Sequence, residues 1–183
     1  MKINQMAIAG VALMALAGAS TAALANPKVG GAPMLQSKNI VENAVNSKDH
    51  TTLVAAVKAA GLVDTLASPG PFTVFAPTNA AFKKLPPGTV DGLLKPEALP
   101  QLKAVLTYHV VPGTLTAKDL TKMISEGGGK ATLTTVQGEP LTVEKKGGRI
   151  EIIDSKGDVA TVTIPNVMQS NGVIHVINTV LLP

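Results

Sequence analysis

Apolar residues in the first half of the chain recur at intervals of three and four positions, which is the spacing of one face of an α-helix. Capping residues, prolines or glycines bound these stretches, as expected at helix ends. The predicted helices begin near Ser37 or Asn39, near His50, at Ala80, near Glu97 and after Thr116. A run of aromatic and β-branched residues at 72–76 predicts a strand between the second and third helices.

From Lys130 onward the pattern changes to short runs of β-branched residues, which predicts strands. The predicted strands are residues 131–136, 141–145, 149–153, 159–164 and 173–182. Turns that contain glycine separate these strands. Helices followed by strands, without regular alternation, favour an α+β fold over a parallel doubly wound sheet.

The first 25 residues have the organisation of a secretory signal peptide. Lys2 is followed by a run of apolar and small residues at 6–19 and then by Ala23 and Ala25, which have the small-x-small spacing of a cleavage site. A membrane anchor is the alternative, but glycines interrupt the run and it is shorter than the roughly 20 apolar residues of a membrane span. We expect cleavage after Ala25, no membrane span in the mature chain, and a secreted or periplasmic protein.

Residues 26–36 contain two prolines and two glycines and show no apolar period, so we expect a flexible lead-in. The folded domain is expected to span residues 37–183. A mature chain of this length can form one domain with a single core. The sequence contains no cysteine, so its stability must come from packing and hydrogen bonds.

Composition argues against nucleic acid as a partner. Without Lys2 the chain has 15 basic and 12 acidic residues, a net charge of only +3. Three phenylalanines and one tyrosine are too few to form a stacking surface for bases. Weak attraction to acidic polysaccharides or anionic lipid surfaces remains compatible with this charge.

The residue types needed for catalysis are poorly represented. The chain has no cysteine and no G-x-S-x-G sequence, and its three histidines are not spaced for a metal site. Asp154, Ser155 and His175 could be drawn as a triad, but turn formation explains the first two. We therefore expect no catalytic residues, no metal and no cofactor.

Three motifs occur in a fixed order along the chain. They are FTVFAPTNAAF at 72–82, YHVVPG at 108–113 and NGVIHVINTVLLP at 171–183. Together they resemble the two boxed motifs and the central Tyr-His pair of the fasciclin-like (FAS1) domain, over residues 37–183. The resemblance implies an α+β fold in which a β-sandwich or wedge packs against a cluster of helices, with the first and last motifs side by side.

The resemblance also implies roles for individual residues. Tyr108 and His109 correspond to a pair tied to adhesion and receptor contact in the family, and they are the candidate partner-binding residues. The competing interpretation, which we favour, is structural, with both side chains packed and hydrogen-bonded inside the domain. The other motif residues are expected to be structural, namely Phe72, Phe75, Pro77, Thr78, Asn79, Phe82, Asn171, Gly172 and His175. The family commonly has an aspartate where this chain has Asn178, which puts any salt bridge at that position in doubt.

The function implied is non-catalytic binding. We expect cell adhesion or interaction with a surface or matrix, through a protein or polysaccharide partner whose identity the sequence does not name. The alternative is a carrier of an apolar small molecule such as a carotenoid, since some fasciclin-like proteins bind such molecules.

Overall fold

The computed structural model describes residues 26–183, so the predicted signal peptide and its role in export lie outside the described residues. The helices are α1 Ile40–Ala44, α2 Thr51–Ala59, α3 Val63–Ala67, α4 Asn79–Lys83, α5 Thr89–Leu93, α6 Leu99–Tyr108 and α7 Ala117–Glu126. Short 3-10 helices span Lys48–His50 and Pro96–Ala98. The strands are β1 Lys28–Val29, β2 Ala32–Pro33, β3 Phe72–Pro77, β4 Val110–Pro112, β5 Lys130–Thr134, β6 Pro140–Lys146, β7 Arg149–Ile153, β8 Val159–Gln169 and β9 Gly172–Ile177.

Seven strands form one mixed sheet in the order β4-β3-β9-β8-β7-β6-β5. Strands β3 and β9 pair in parallel, and the other neighbours pair antiparallel. The sheet curves so far that its two edges approach each other. Just after β5, the Val136 amide donates to the Val110 carbonyl of β4 at 2.8 Å. The predicted α+β fold class is confirmed.

Strands β3 and β9 separate two hydrophobic cores, because successive side chains of a strand point to opposite faces. On one face, Val74 and Ile174 pack against the helices in what we call the helical core. On the other, Phe75 and Ile177 pack beneath α7 inside the curved sheet, in what we call the sheet core. The first and last motifs therefore form the wall that both cores share.

Two predicted helix caps are present with both hydrogen bonds of a capping box. The Asn39 side chain accepts from the Glu42 amide, and the Glu42 carboxylate accepts from the Asn39 amide, each at 2.9 Å. Thr116 and Asp119 form the same reciprocal arrangement at the start of α7. Each box satisfies amides that a helix start leaves without intrahelical partners.

The structure corrects the domain boundary expected near residue 37. Strands β1 and β2 form a hairpin joined by Gly30 and Gly31, whose φ angles are +59° and +78°. Val29 and Met34 are buried in the helical core, with 3% and 5% of their surfaces exposed. Two glycines with positive φ form the tight turn of a two-residue hairpin, so the feature that suggested flexibility instead reverses the chain.

Candidate functional site

Tyr108 ends α6 and is fully buried in the sheet core. Its hydroxyl donates to the Pro140 carbonyl at 3.1 Å and accepts from the Ser155 amide at 3.0 Å. Pro140 begins β6 and Ser155 follows β7, so one phenol joins α6 to two strands of the sheet. Burial raises the pKa of Tyr108, and the hydrogen bond from Ser155 opposes that shift.

His109 follows α6 and is also buried, with both ring nitrogens hydrogen-bonded. Nδ1 donates to the Val105 carbonyl at 2.7 Å, and Nε2 accepts from the Leu181 amide at 3.0 Å. These partners fix the tautomer, because a carbonyl only accepts and an amide only donates. Burial lowers the pKa of His109 to about 4, against an ordinary value of 6.5, so the ring is neutral at pH 7.

Asp154 adds a second attachment for the end of the chain. One carboxylate oxygen accepts from the Leu182 amide at 2.9 Å, while the other accepts from the amides of Lys156 and Asp158. His109 and Asp154 thus hold successive amides of the C-terminal segment, an arrangement that we call the C-terminal clamp. The sequence indicated only a turn at Asp154, and no local signal connects it to a residue 28 positions away.

The geometry at Tyr108 and His109 supports the structural role of the pair. Neither side chain reaches the surface, and the polar atoms of both already have partners within the domain. Direct contact with another molecule would require the C-terminal segment to move away. Partner contact through this pair stays a prediction. The same saturation leaves His109 without a free nitrogen to act as a general base.

The first motif attaches α4 to its surroundings through Thr78 and Asn79. Thr78 accepts from the Ala81 amide at 3.2 Å and caps α4. The Asn79 side chain accepts from the Thr52 amide at 3.0 Å and donates to the Lys48 carbonyl at 2.8 Å. Asn79 therefore ties α4 to the beginning of α2.

Asn171 in the last motif makes the corresponding connection to α1 and α3. Its side chain accepts from the Ile40 amide at 3.0 Å and donates to the carbonyls of Leu66 and Ser68 at 2.7 and 2.9 Å. At Gly172, a Cβ atom would lie 2.0 Å from the Phe72 carbonyl oxygen. The close parallel pairing of β9 with β3 thus requires glycine at this position.

His175 is a fully buried residue of the shared wall. Nε2 donates to the Leu115 carbonyl at 2.7 Å, and Nδ1 accepts from the Asn166 amide at 3.4 Å. Its ring stacks on Phe75, its register partner in β3, with 5.7 Å between ring centroids. Burial lowers the pKa of His175, so this ring is also neutral at pH 7.

The remaining predicted structural residues occupy different environments. Phe75 is fully buried in the sheet core, whereas Phe82 is 8% exposed and packs in the helical core. Phe72 is half-buried, and Pro77 is the last residue of β3. At Asn178, the side-chain oxygen accepts from the Thr161 amide at 2.9 Å. This neutral hydrogen bond does not require the carboxylate that is common in the family.

An apolar cavity of about 50 Å³ lies between helices α1 to α3 and strands β3 and β9. Its walls are mainly aliphatic and include Ile40, Leu53, Val57, Leu66, Val74 and Ile174. His50 lies at the wall, where Nε2 donates to the Ala76 carbonyl at 3.4 Å and Nδ1 accepts from the Ser47 hydroxyl at 2.9 Å. Burial lowers the pKa of His50. The cavity is therefore apolar, and its buried polar groups already have partners.

Within residues 26–183, no group of three or more histidine, cysteine or acidic side chains is placed to hold a metal ion. The same residues include no helix long and apolar enough to cross a bilayer.

Comparison of the sequence with models of known protein families identifies the family of this domain. The family model described as "Fasciclin domain" matches residues 48–183. The chain belongs to the fasciclin domain family. Fasciclin domain proteins are generally non-enzymatic and of an adhesion type. The match confirms the resemblance inferred from the three motifs.

Several relatives and a solved structure match most of this fasciclin chain. A protein of Synechocystis sp. is 48% identical over 144 residues, which cover 79% of this chain and 97% of the relative. The transforming growth factor-beta-induced protein ig-h3 of Sus scrofa is 40% identical over 131 residues, 72% of this chain but 17% of that protein. A domain pair from the insect cell adhesion molecule Fasciclin I superimposes with a TM-score of 0.72 at 26% identity. That match covers 84% of this chain and 52% of the solved one.

Proposed function

We propose that this fasciclin domain is a secreted or periplasmic, non-catalytic binding protein that mediates adhesion or contact with a surface or matrix. The observation that carries the proposal is the fold and sequence similarity to an insect cell adhesion molecule. Its partner is a protein or a polysaccharide at the cell surface or in the matrix. The solved neighbour is a pair of domains and this chain spans about half of it, so the proposed binding surface lies on one fasciclin domain.

The hydrogen bonding of the buried polar side chains supports a non-catalytic role. The ring nitrogens of His50, His109 and His175 are all hydrogen-bonded to groups of the domain. The Asp154 carboxylate is similarly occupied by backbone amides. Because these groups already hold segments of the domain together, they are not available for bond cleavage. The arrangement therefore favours surface recognition over catalysis.

The adhesive role predicts saturable binding of the purified mature protein to the cell envelope or secreted matrix of the organism that makes it. Labelled protein would be titrated against both fractions, with heat-unfolded protein as the control. We expect saturable binding in at least one fraction and its loss on unfolding, because the proposed surface exists only in the folded domain. Absence of saturable binding from both fractions would rule out this role.

Carriage of an apolar small molecule is a second candidate, and the aliphatic cavity favours it. A carotenoid carrier purified from its native source should show a visible absorption band, whereas a colourless protein would contradict that role. The cavity of about 50 Å³ is much smaller than the roughly 300 to 1,000 Å³ of most small-molecule sites. A carrier role therefore requires part of the wall to move.

A further inference from the structure

We propose that the N-terminal hairpin, residues 26–34, is a displaceable lid over the apolar cavity, and that its opening admits an uncharged apolar ligand. Val29 and Met34 of this hairpin form part of the cavity wall. Moving the hairpin outward would withdraw both side chains and join the cavity to the space that they vacate. The proposal rests on the second candidate function, the carrier role, and does not depend on adhesion.

The hairpin is less integrated into the domain than the strands of the cavity wall. Strands β1 and β2 pair only with each other, in a sheet separate from the seven-stranded sheet. An isolated two-stranded hairpin is marginally stable by itself, so its position depends on contacts with the rest of the domain. In contrast, β3 and β9 have neighbours on both sides within the large sheet.

A small number of polar contacts hold the hairpin in place. The Asn26 side chain hydrogen-bonds to both backbone polar groups of Met168 in β8, as a neighbouring strand would. The Gly30 carbonyl accepts from the Lys48 amide at 3.4 Å, which is a long hydrogen bond. At the other end, the Leu35 amide donates to the Asn43 side chain at 3.0 Å. Opening of the hairpin therefore requires these few hydrogen bonds to break, and the bond at the turn is the weakest of them.

Gly30 makes the turn fit closely against the 3-10 helix. A Cβ atom at this position would lie 2.5 Å from the Ser47 hydroxyl oxygen and 2.6 and 2.7 Å from the amide nitrogens of Lys48 and Asp49. Two of these contacts are with backbone, which cannot move aside as a flexible side chain can. Any side chain at residue 30 must therefore push the turn away from the domain.

The lining of the cavity sets the class of ligand. Its walls are aliphatic apart from Phe75, Ser47, His50, His109 and Lys58. The ring nitrogens of both histidines already have partners within the domain. Lys58 is an exposed residue, so its charge is not enclosed in the cavity. A charged ligand would lose its hydration without gaining a partner inside, which is costly. An uncharged apolar molecule meets no such penalty.

Gly30→Ala and Gly31→Ala form a matched pair for testing the lid. Both glycines have positive φ, so alanine introduces backbone strain at either position. At Gly31, however, no atom lies within 4 Å of the added Cβ. The difference between the variants therefore reports displacement of the hairpin, with backbone strain common to both.

The probe is N-phenyl-1-naphthylamine, an uncharged apolar dye whose fluorescence increases in apolar surroundings. A ligand that binds only the open state has its apparent affinity reduced by the small fraction of open molecules. We expect Gly30→Ala to lower the apparent dissociation constant at least about tenfold. Gly31→Ala should remain within about threefold of the parent. Equal dissociation constants for the parent and a folded Gly30→Ala protein would overturn the proposal.

Two further variants locate the dye and protect the test against misfolding. Adding Ala44→Leu to Gly30→Ala places a larger side chain at the cavity wall and should abolish the fluorescence increase. Persistence of the increase would place the dye elsewhere and contradict the proposal.

If Gly30→Ala fails to fold, Asn26→Ala releases the hairpin from Met168 without adding a clash, and it should also tighten dye binding. No change in that folded variant would contradict the lid.

The result of the dye-binding experiment can be distinguished from the results of the tests of the two proposed functions. A colourless native protein would argue against carotenoid carriage, yet the dye would still report whether the hairpin controls access. Conversely, a cavity that never admits the dye would leave adhesion to the envelope or matrix unaffected.

Discussion

Replacing Phe75 with alanine is expected to lower the free energy of unfolding by about 3 to 5 kcal/mol. Phe75 is fully buried in the sheet core, and its ring stacks on that of His175. Alanine would remove the buried ring and leave a cavity at the wall between the two cores. The surrounding core is closely packed, so the neighbours can collapse only partly into the gap.

Denaturant titration of the parent and the variant would measure this loss. Phe82→Ala provides a comparison in the helical core, and we expect a loss in the same range because Phe82 is only 8% exposed. A change below about 1 kcal/mol at either position would show that the ring is not packed as described.

Acid is expected to destabilise the domain between about pH 6.5 and pH 4 through its buried histidines. His109 has a pKa of about 4 when folded and an ordinary value of 6.5 when unfolded, so the unfolded chain binds its proton first. The contribution is fully present above pH 6.5 and is lost as the pH falls to 4. For His109 alone the change is about 3 kcal/mol. The lowered pKa values of His50 and His175 act in the same direction.

The measurement is the free energy of unfolding at several pH values across this window. His109→Asn is the control, because asparagine does not titrate there, and its stability should fall less steeply with acid than that of the parent. Identical slopes for the two proteins would mean that His109 is not held neutral by burial. A flat profile for the parent would contradict the description of all three rings.

Features that depend on neighbours in the sequence were predicted well. Asn39 and Thr116 cap helices because the hydrogen bonds of a cap lie within a few residues. The strands after Lys130 were recognised from their β-branched runs, although β9 ends at Ile177 and β8 continues to Gln169. The middle of β8 carries register shifts between Val162 and Val167, and such an irregularity removes the simple alternation on which the prediction relied.

Some short strands were not predicted, because the local sequence that forms them is also typical of turns and flexible segments. No strand was predicted at Val110–Pro112, but these residues form β4 because β3 lies beside them. The Gly30-Gly31 pair was interpreted as a flexible segment, although two glycines also form a tight hairpin turn. The strand pairing that forms β4 comes from an earlier part of the chain, whereas the hairpin forms between neighbouring residues.

The site itself could be predicted only in part. Tyr108 and His109 were identified through the family motifs, but the C-terminal clamp was not, because His109 and Leu181 are 72 residues apart. The apolar cavity could not be predicted from the sequence either, because its walls come from separate helices and strands. Such features depend on packing between elements, which a periodic pattern in one segment does not encode.

Binding of His109→Asn to the envelope or matrix fraction that binds the parent is the most direct test of a structural Tyr108-His109 pair within an adhesive domain. Asparagine keeps hydrogen-bonding capacity in a neutral side chain but cannot span from Val105 to Leu181 as the ring does. We predict lower stability, with binding per folded molecule equal to that of the parent. A variant that stays folded, with an unchanged melting temperature, but binds at least about tenfold more weakly would contradict this account and place His109 in the partner interface.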